Sequence, residues 1–145
     1  YFEEALMSIK GKIDNIIDNK LFFGLVSVLM RVLLSSVFII AGIGKISAYN
    51  ATAEYMASMG VPAILLPLVI LTELGGGVAL LLGFQTRIVA ILFFGFCIIS
   101  GLIFHSGPDL QSQLMLMKNI TMSGGFIALF LLGAGGFSLD NRNNP

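Results

Sequence analysis

Three ionisable side chains fall inside long apolar stretches of this chain: Arg31, Glu73 and Lys118. An Arg or Lys at the centre of a transmembrane helix costs about 2.5–3.5 kcal/mol on insertion scales, so such residues are kept for a partner, a ligand or a water path. Arg31 and Glu73 are the expected pair. Each lies ten residues from the same end of its apolar run, which is about 15 Å along a helix. Side chains lean toward the N-terminus of their own helix, and these two helices run in opposite directions. Arg31 therefore leans inward and Glu73 outward, so the expected contact is indirect or bridged by water. Lys118 lies nearer the outer end of its run, with Asn119, Thr121 and Ser123 beside it, and it either joins the polar set or snorkels to the surface. Lys45 follows Arg31 by fourteen residues, almost four turns, on the same helix face. His105 closes the third apolar run on the outer side.

Arg31, Glu73, Lys118, Asn119, Lys45 and His105 together form a candidate ligand-binding set that runs from the midplane toward the outer leaflet. Its chemistry is recognition of a polar head group. Arg31 and Lys118 would donate hydrogen bonds to carbonyl oxygens, and Glu73 would hold Arg31 or accept a proton. The competing reading is structural, with Arg31 and Glu73 fixing helix register and nothing more. The inner half of the spans, reading "LFFGLVSVLM", "VALLLGF" and "IALFLLG", is expected to hold no comparable polar set.

No catalytic residue is assigned. The one cysteine, Cys97 in "FFGFCIIS", can form neither an internal disulfide nor a CxxC relay, and it reads as a small packing residue. The one histidine, His105, excludes bis-histidine haem ligation within a single chain. No metal-ligand spacing and no flavin motif occurs, so any electrons must come from a partner. Formal net charge is zero, which gives no basis for nucleic-acid binding.

The elements that must hold these residues are membrane spans. Of 145 residues, 57% are hydrophobic and 11% charged, with a mean hydropathy of +0.96; a small globule leaves too much of that surface in water. Stretches at about 21–44, 63–83, 87–104 and 113–135 meet or approach the roughly 20 apolar residues a spanning helix needs. Helices are expected because lone strands would leave backbone groups unpaired in lipid, and Thr86 is a candidate cap for the third. The fold class is thus all-α, a polytopic four-helix bundle. The first span is too long for a cleavable signal peptide; because residue 1 is Tyr, native residues are expected ahead of it. Lys10, Lys12, Lys20, Arg87 and Arg142 fall on one side and Lys45 on the other, which places both termini in the cytoplasm by the positive-inside rule.

Two further helices are expected outside the spans. Residues 1–20 form a first unit, in which Phe2, Leu6, Ile9, Ile13 and Ile16 paint one face. This amphipathic helix is expected on the cytoplasmic membrane surface, or docked on a soluble partner. Residues 21–145 form the transmembrane domain. Within it "SAYNATAEYMASMGVP" is expected as a short interfacial helix over the outer end, stopped by Gly60 and Pro62. Gly42, Gly44, "LGGG" at 74–77 and "SGG" at 123–125 favour close helix approach.

The segments "RVLLSSVFIIAGIGK", "TELGGGVALLLGFQTR" and "KNITMSGGFIALFLLGAGGFSLD", in that order, resemble the DoxX family of small four-helix membrane proteins. The likeness covers about residues 28–140 and touches Arg31, Lys45, Glu73, Thr86, Arg87, Lys118 and Asn119. It implies a membrane subunit associated with an oxidoreductase complex, and with it a quinone or similar lipid-like head group as the ligand. Expected partners are membrane lipids, quinone, a soluble or membrane oxidoreductase, and further copies of the chain. A scaffold without catalysis and a small-solute transporter are the alternatives; the second lacks an obvious internal repeat.

Overall fold

The computed structural model describes residues 1–142 and contains helices joined by short turns, with no strand among the described residues. An N-terminal helix, α1 (Phe2–Ile17), precedes α2 (Lys20–Ser47). A short α3 (Tyr49–Ser58) follows, then a 3-10 turn (Ala63–Leu65) that runs into α4 (Leu66–Leu82). The chain continues through α5 (Thr86–Phe104) and α6 (Leu110–Leu132) to a last turn, α7 (Leu139–Arg142). Among the described residues four helices are long and apolar enough to cross a membrane: Lys20–Ser47, Ala63–Leu82, Thr86–Phe104 and Leu110–Leu132. Their outward faces carry exposed Leu29, Leu33, Ile40, Leu71, Leu92 and Leu131, as a bundle surrounded by lipid requires. The protein is a polytopic helical bundle.

Local chemistry sets the boundaries. The Asn19 side chain accepts hydrogen bonds from the amides of Leu21 and Phe22 and so starts α2. Asp109 does the same for α6 through the Ser112 amide, and Gly133, at φ 78°, ends it. These two signals move the fourth span to Leu110–Leu132 from the expected 113–135. The α4 helix closes on Gly83 at φ 68°, with the Phe84 amide bonded to the Ala79 carbonyl and the Gly83 amide to Leu80. That is a Schellman turn.

The bundle is built from two close pairs, α2 with α4 and α5 with α6, which meet more loosely. In the first pair, a Cβ on Gly77 would lie 2.8 Å from Ile39 and one on Gly42 would lie 2.6 Å from Leu74, so those backbones approach as closely as they do because a side chain is missing. Between the pairs lies an aromatic core of Phe38, Phe93 and Phe126 with Leu80, Ala90, Cys97 and Leu129. The Phe38 and Phe93 rings stack with centroids 4.0 Å apart. One end of the bundle carries α3, and the other carries α1, the α4–α5 turn and α7. No residue of α1 is buried.

Candidate functional site

The expected pairing of Arg31 with Glu73 does not occur. Glu73, 4% exposed, pairs with Lys45: the ammonium lies 2.8 Å from both carboxylate oxygens. It donates in hydrogen-bond geometry to Oε1 and leaves Oε2 buried without a donor. The reason is the tilt of side chains toward their own helix N-terminus. Lys45, in the last turn of α2, leans back toward the midplane; Glu73, on the antiparallel α4, leans toward the α3 end. The two converge, whereas Arg31 and Glu73 lean apart.

This ion pair sits in the wall of a cavity of about 510 Å³ at the α3 end. The lining includes Lys45 of α2, Thr52, Tyr55 and Met56 of α3, Glu73 of α4, Cys97 and Ser100 of α5, His105, and Lys118 and Asn119 of α6. Apolar groups complete it, among them Val37, Phe38, Val69, Phe96 and Met122. Five of the six sequence candidates therefore meet at one place, and Arg31 is the one left out. The α3 helix is clasped over the cavity, with the Tyr55 hydroxyl 3.4 Å from the Phe104 carbonyl and the two rings 5.6 Å apart. Asn119 is held against Gly101, whose missing Cβ would lie 3.1 Å from the Asn119 Cβ. His105, just past the end of α5, has its imidazole pushed below the ordinary range, first by burial and then by the charge of Lys118. It is neutral at pH 7 and able both to donate and to accept. Among the described residues no three His, Cys, Asp or Glu side chains gather into a metal-binding group. The cavity presents two ammonium groups, a carboxylate, an amide, a phenol and an imidazole around apolar walls.

Thr52, Tyr55 and Ser100 line the cavity without having been singled out for it. For Thr52 and Tyr55 the available signal was the short helix expected from "SAYNATAEYMASMGVP" over the outer end. Cys97 also lines it while belonging to the core, buried at 1% exposure.

Arg31 builds a second polar cluster at the opposite end, which corrects the expectation that the inner half holds no comparable polar set. Its guanidinium, 2% exposed, donates to the Leu81 carbonyl at 2.8 Å and to the Phe137 carbonyl. Leu81 lies in the last turn of α4, where carbonyls lack helical partners and the helix dipole favours a cation. The Asp140 carboxylate accepts from the amides of Gln85 and Thr86 at 2.7 and 2.9 Å, and the Asp140 amide donates to the Gly83 carbonyl. Thr86 was expected to cap α5; Gln85 holds the cap position and Asp140, from the far end of the chain, supplies the acceptor. Burial alone would raise the Asp140 carboxyl, but these bonds and the nearby Arg31 charge outweigh it and hold the group below the ordinary carboxylate range. The cluster staples the C-terminal segment to the α4–α5 turn. The bonds to Leu81 and Phe137 give the guanidinium main-chain partners in the apolar part of α2.

The DoxX family pattern matches residues 26–106. Over 115 residues the chain is 48% identical to Inner membrane protein YqjF of Escherichia coli (strain K12), across 79% of this chain and 88% of that protein. Inner membrane protein YphA of the same strain is 32% identical over 120 residues, 77% of this chain and 86% of that protein. The Bacillus subtilis (strain 168) protein named "Putative oxidoreductase CatD" is 32% identical over 71 residues, 49% of this chain and 53% of that protein. No solved structure matches. The matched stretch holds Lys45, Glu73 and His105 but ends before Lys118 and Asn119.

Proposed function

This chain belongs to the DoxX family, and from that premise we propose that it is a multi-pass inner-membrane protein whose α3-covered cavity takes a quinone or a similar lipid-like head group for a redox complex. The membrane assignment is supported by relatives named as inner membrane proteins, and the redox assignment by the name of the more distant one. One observation carries the ligand: the Lys45–Glu73 pair, Lys118 and Asn119 converge on a cavity completed by Thr52, Tyr55, Ser100, His105 and a larger set of apolar side chains.

At about 510 Å³ the space suits a ring system with part of a tail, within the roughly 300–1,000 Å³ of small-molecule sites. Phe38, Phe96, Val69 and Met122 would pack on the ring or tail. Lys118 and Asn119, with Lys45, would donate to carbonyl oxygens. The Glu73 Oε2, buried without a donor, is placed to accept a hydrogen bond or a proton from a hydroxyl. A quinone, when bound, would supply the electron chemistry, and the electrons would come from a partner oxidoreductase. Arg31, committed to two carbonyls at the other end, has no part in this reading.

The termini face the cytoplasm in this proposal, because Lys10, Lys12, Lys20, Arg87 and Arg142 lie at that end. The cavity then opens to the outer half of the bilayer, and α1 lies along the inner surface. Thiol labelling of cysteines introduced at Asn50 and Asn141, in a Cys97→Ala background, tests the orientation; labelling of position 50 from the cytoplasm would reverse it.

A photoreactive quinone analogue should crosslink to α3, α5 and α6 around the cavity, and Glu73→Gln should lower the activity of any copurifying oxidoreductase. Crosslinks confined to the α4–α5 turn and α7, or unchanged partner activity, would end the proposal. A scaffold without ligand is the second reading, favoured by the α1 stripe of Phe2, Leu6, Ile9, Ile13 and Ile16, which faces no protein surface.

A further inference from the structure

We infer that the cavity under α3 selects a head group bearing one negative charge on oxygen, with Lys118 as its counter-ion. The inference rests on reading this cavity as a ligand site. It comes from a charge census. The charged side chains of the lining are Lys45 from α2, Glu73 from α4 and Lys118 from α6; α3 contributes Thr52 and Tyr55, and α5 contributes Cys97 and Ser100. Lys45 and Glu73 neutralise each other, with the ammonium 2.8 Å from both carboxylate oxygens. His105 adds no charge at pH 7, because burial and the charge of Lys118 hold the imidazole below its ordinary range. Lys118 has no ion-pair or hydrogen-bond partner among the described residues. One positive charge is left over.

Its position gives that charge consequences. Lys118 follows the start of α6 at Leu110 by about 12 Å of helix, inside a segment long and apolar enough to span. Its side chain leans toward the N-terminus of α6, the end where His105 and the cavity lie. Lys118 lines the cavity while remaining exposed on α6, and the apolar walls reduce dielectric screening on the side that faces the cavity. A neutral quinone would leave the charge uncompensated. An ionised acidic hydroxyl on a quinone ring, or the phosphodiester of an anionic phospholipid, would compensate it; the shared chemistry is a monoanionic oxygen head on an apolar body.

The full chain in phosphatidylcholine nanodiscs, titrated with a 2-hydroxy-3-alkyl-1,4-naphthoquinone and with its 2-methoxy ether, tests this. The ionised acid should bind at least about tenfold more tightly than the ether, a difference of about 1.4 kcal/mol. Lys118→Gln should erase the preference, bringing the affinity of the acid to that of the ether, and Lys118→Arg should keep it. The resonance of the lone histidine should move on binding the acid more than on binding the ether. Equal affinities in the wild type, or a preference that survives Lys118→Gln, would overturn the inference and leave the cavity reading intact. Failure of both probes to bind would overturn the cavity reading and this inference with it. In nanodiscs containing phosphatidylglycerol, competition with the acid in the wild type but not in Lys118→Gln supports the inference and assigns the lipid phosphate as a source. Absence of competition supports it with the free acid as the source.

Discussion

The Lys45 ammonium lies 2.8 Å from both carboxylate oxygens of Glu73 and bridges α2 to α4 where the cavity begins. Fourteen residues earlier on α2, Arg31 is turned to the other end of the bundle and bonded to main-chain carbonyls. Two cations on one helix thus have separate tasks, and energetic coupling separates them experimentally.

Lys45→Met should lower stability in detergent melting by about 1–3 kcal/mol, since it leaves a buried carboxylate without its partner. Adding Glu73→Gln should recover part of that loss, giving a sub-additive cycle. The Arg31→Met/Glu73→Gln cycle should be additive. Coupling in the second cycle and not the first would contradict the observed pairing.

Gly83→Ala should be among the costliest small substitutions in the chain. At φ 68° a non-glycine residue costs roughly 1–2 kcal/mol, and the added Cβ would lie 2.5 Å from both the Arg31 guanidinium and the Ser138 Cβ. Gly124→Ala, with open space around it, should change stability by less than about 1 kcal/mol. Paired melting curves of the two variants check the contrast.

The attachment of the C-terminal segment should depend on pH. The Asp140 carboxyl is held below its ordinary range in the folded state, so its stabilising contribution is present above the unfolded value of about 4. It is lost as pH falls through the lower folded value. Protease sensitivity of the segment after Gly133 should rise on acidification below that range, and Asp140→Asn should reproduce the rise at neutral pH. Equal protection of the variant would rule out the carboxylate as the clasp.

Lys118→Gln should raise the His105 pKa, because the lysine charge is one of the two causes holding it down. Burial is the larger cause, so the value should stay below the ordinary 6.5 or so. The chain has one histidine, so its ring resonance can be followed by NMR without assignment. An unchanged titration would place Lys118 away from the imidazole.

Much of this was legible in the residues themselves. Apolar length and the need to satisfy the backbone in lipid dictate the spanning helices, because those constraints act within each segment. The polar residues near the α3 end could be grouped by counting along helices, since depth is proportional to residue number. The short helix expected from "SAYNATAEYMASMGVP" also located the cover over them. Partner choice was not legible. Arg31 and Glu73 stand at equal depth, yet pairing is decided by the directions in which side chains leave antiparallel helices and by which carbonyls a distant segment brings near. The Phe137 carbonyl and the Asp140 carboxylate come from 106 residues past Arg31 and 54 past Thr86, and no periodicity in the sequence carries that distance. The sequence by itself determined a membrane bundle and the depth of each charge. Tertiary structure decided that Glu73 pairs with Lys45 and that Arg31 bonds to main-chain carbonyls at the other end of the bundle, because electrostatic pairing falls off over a few ångströms and only packing sets positions that closely.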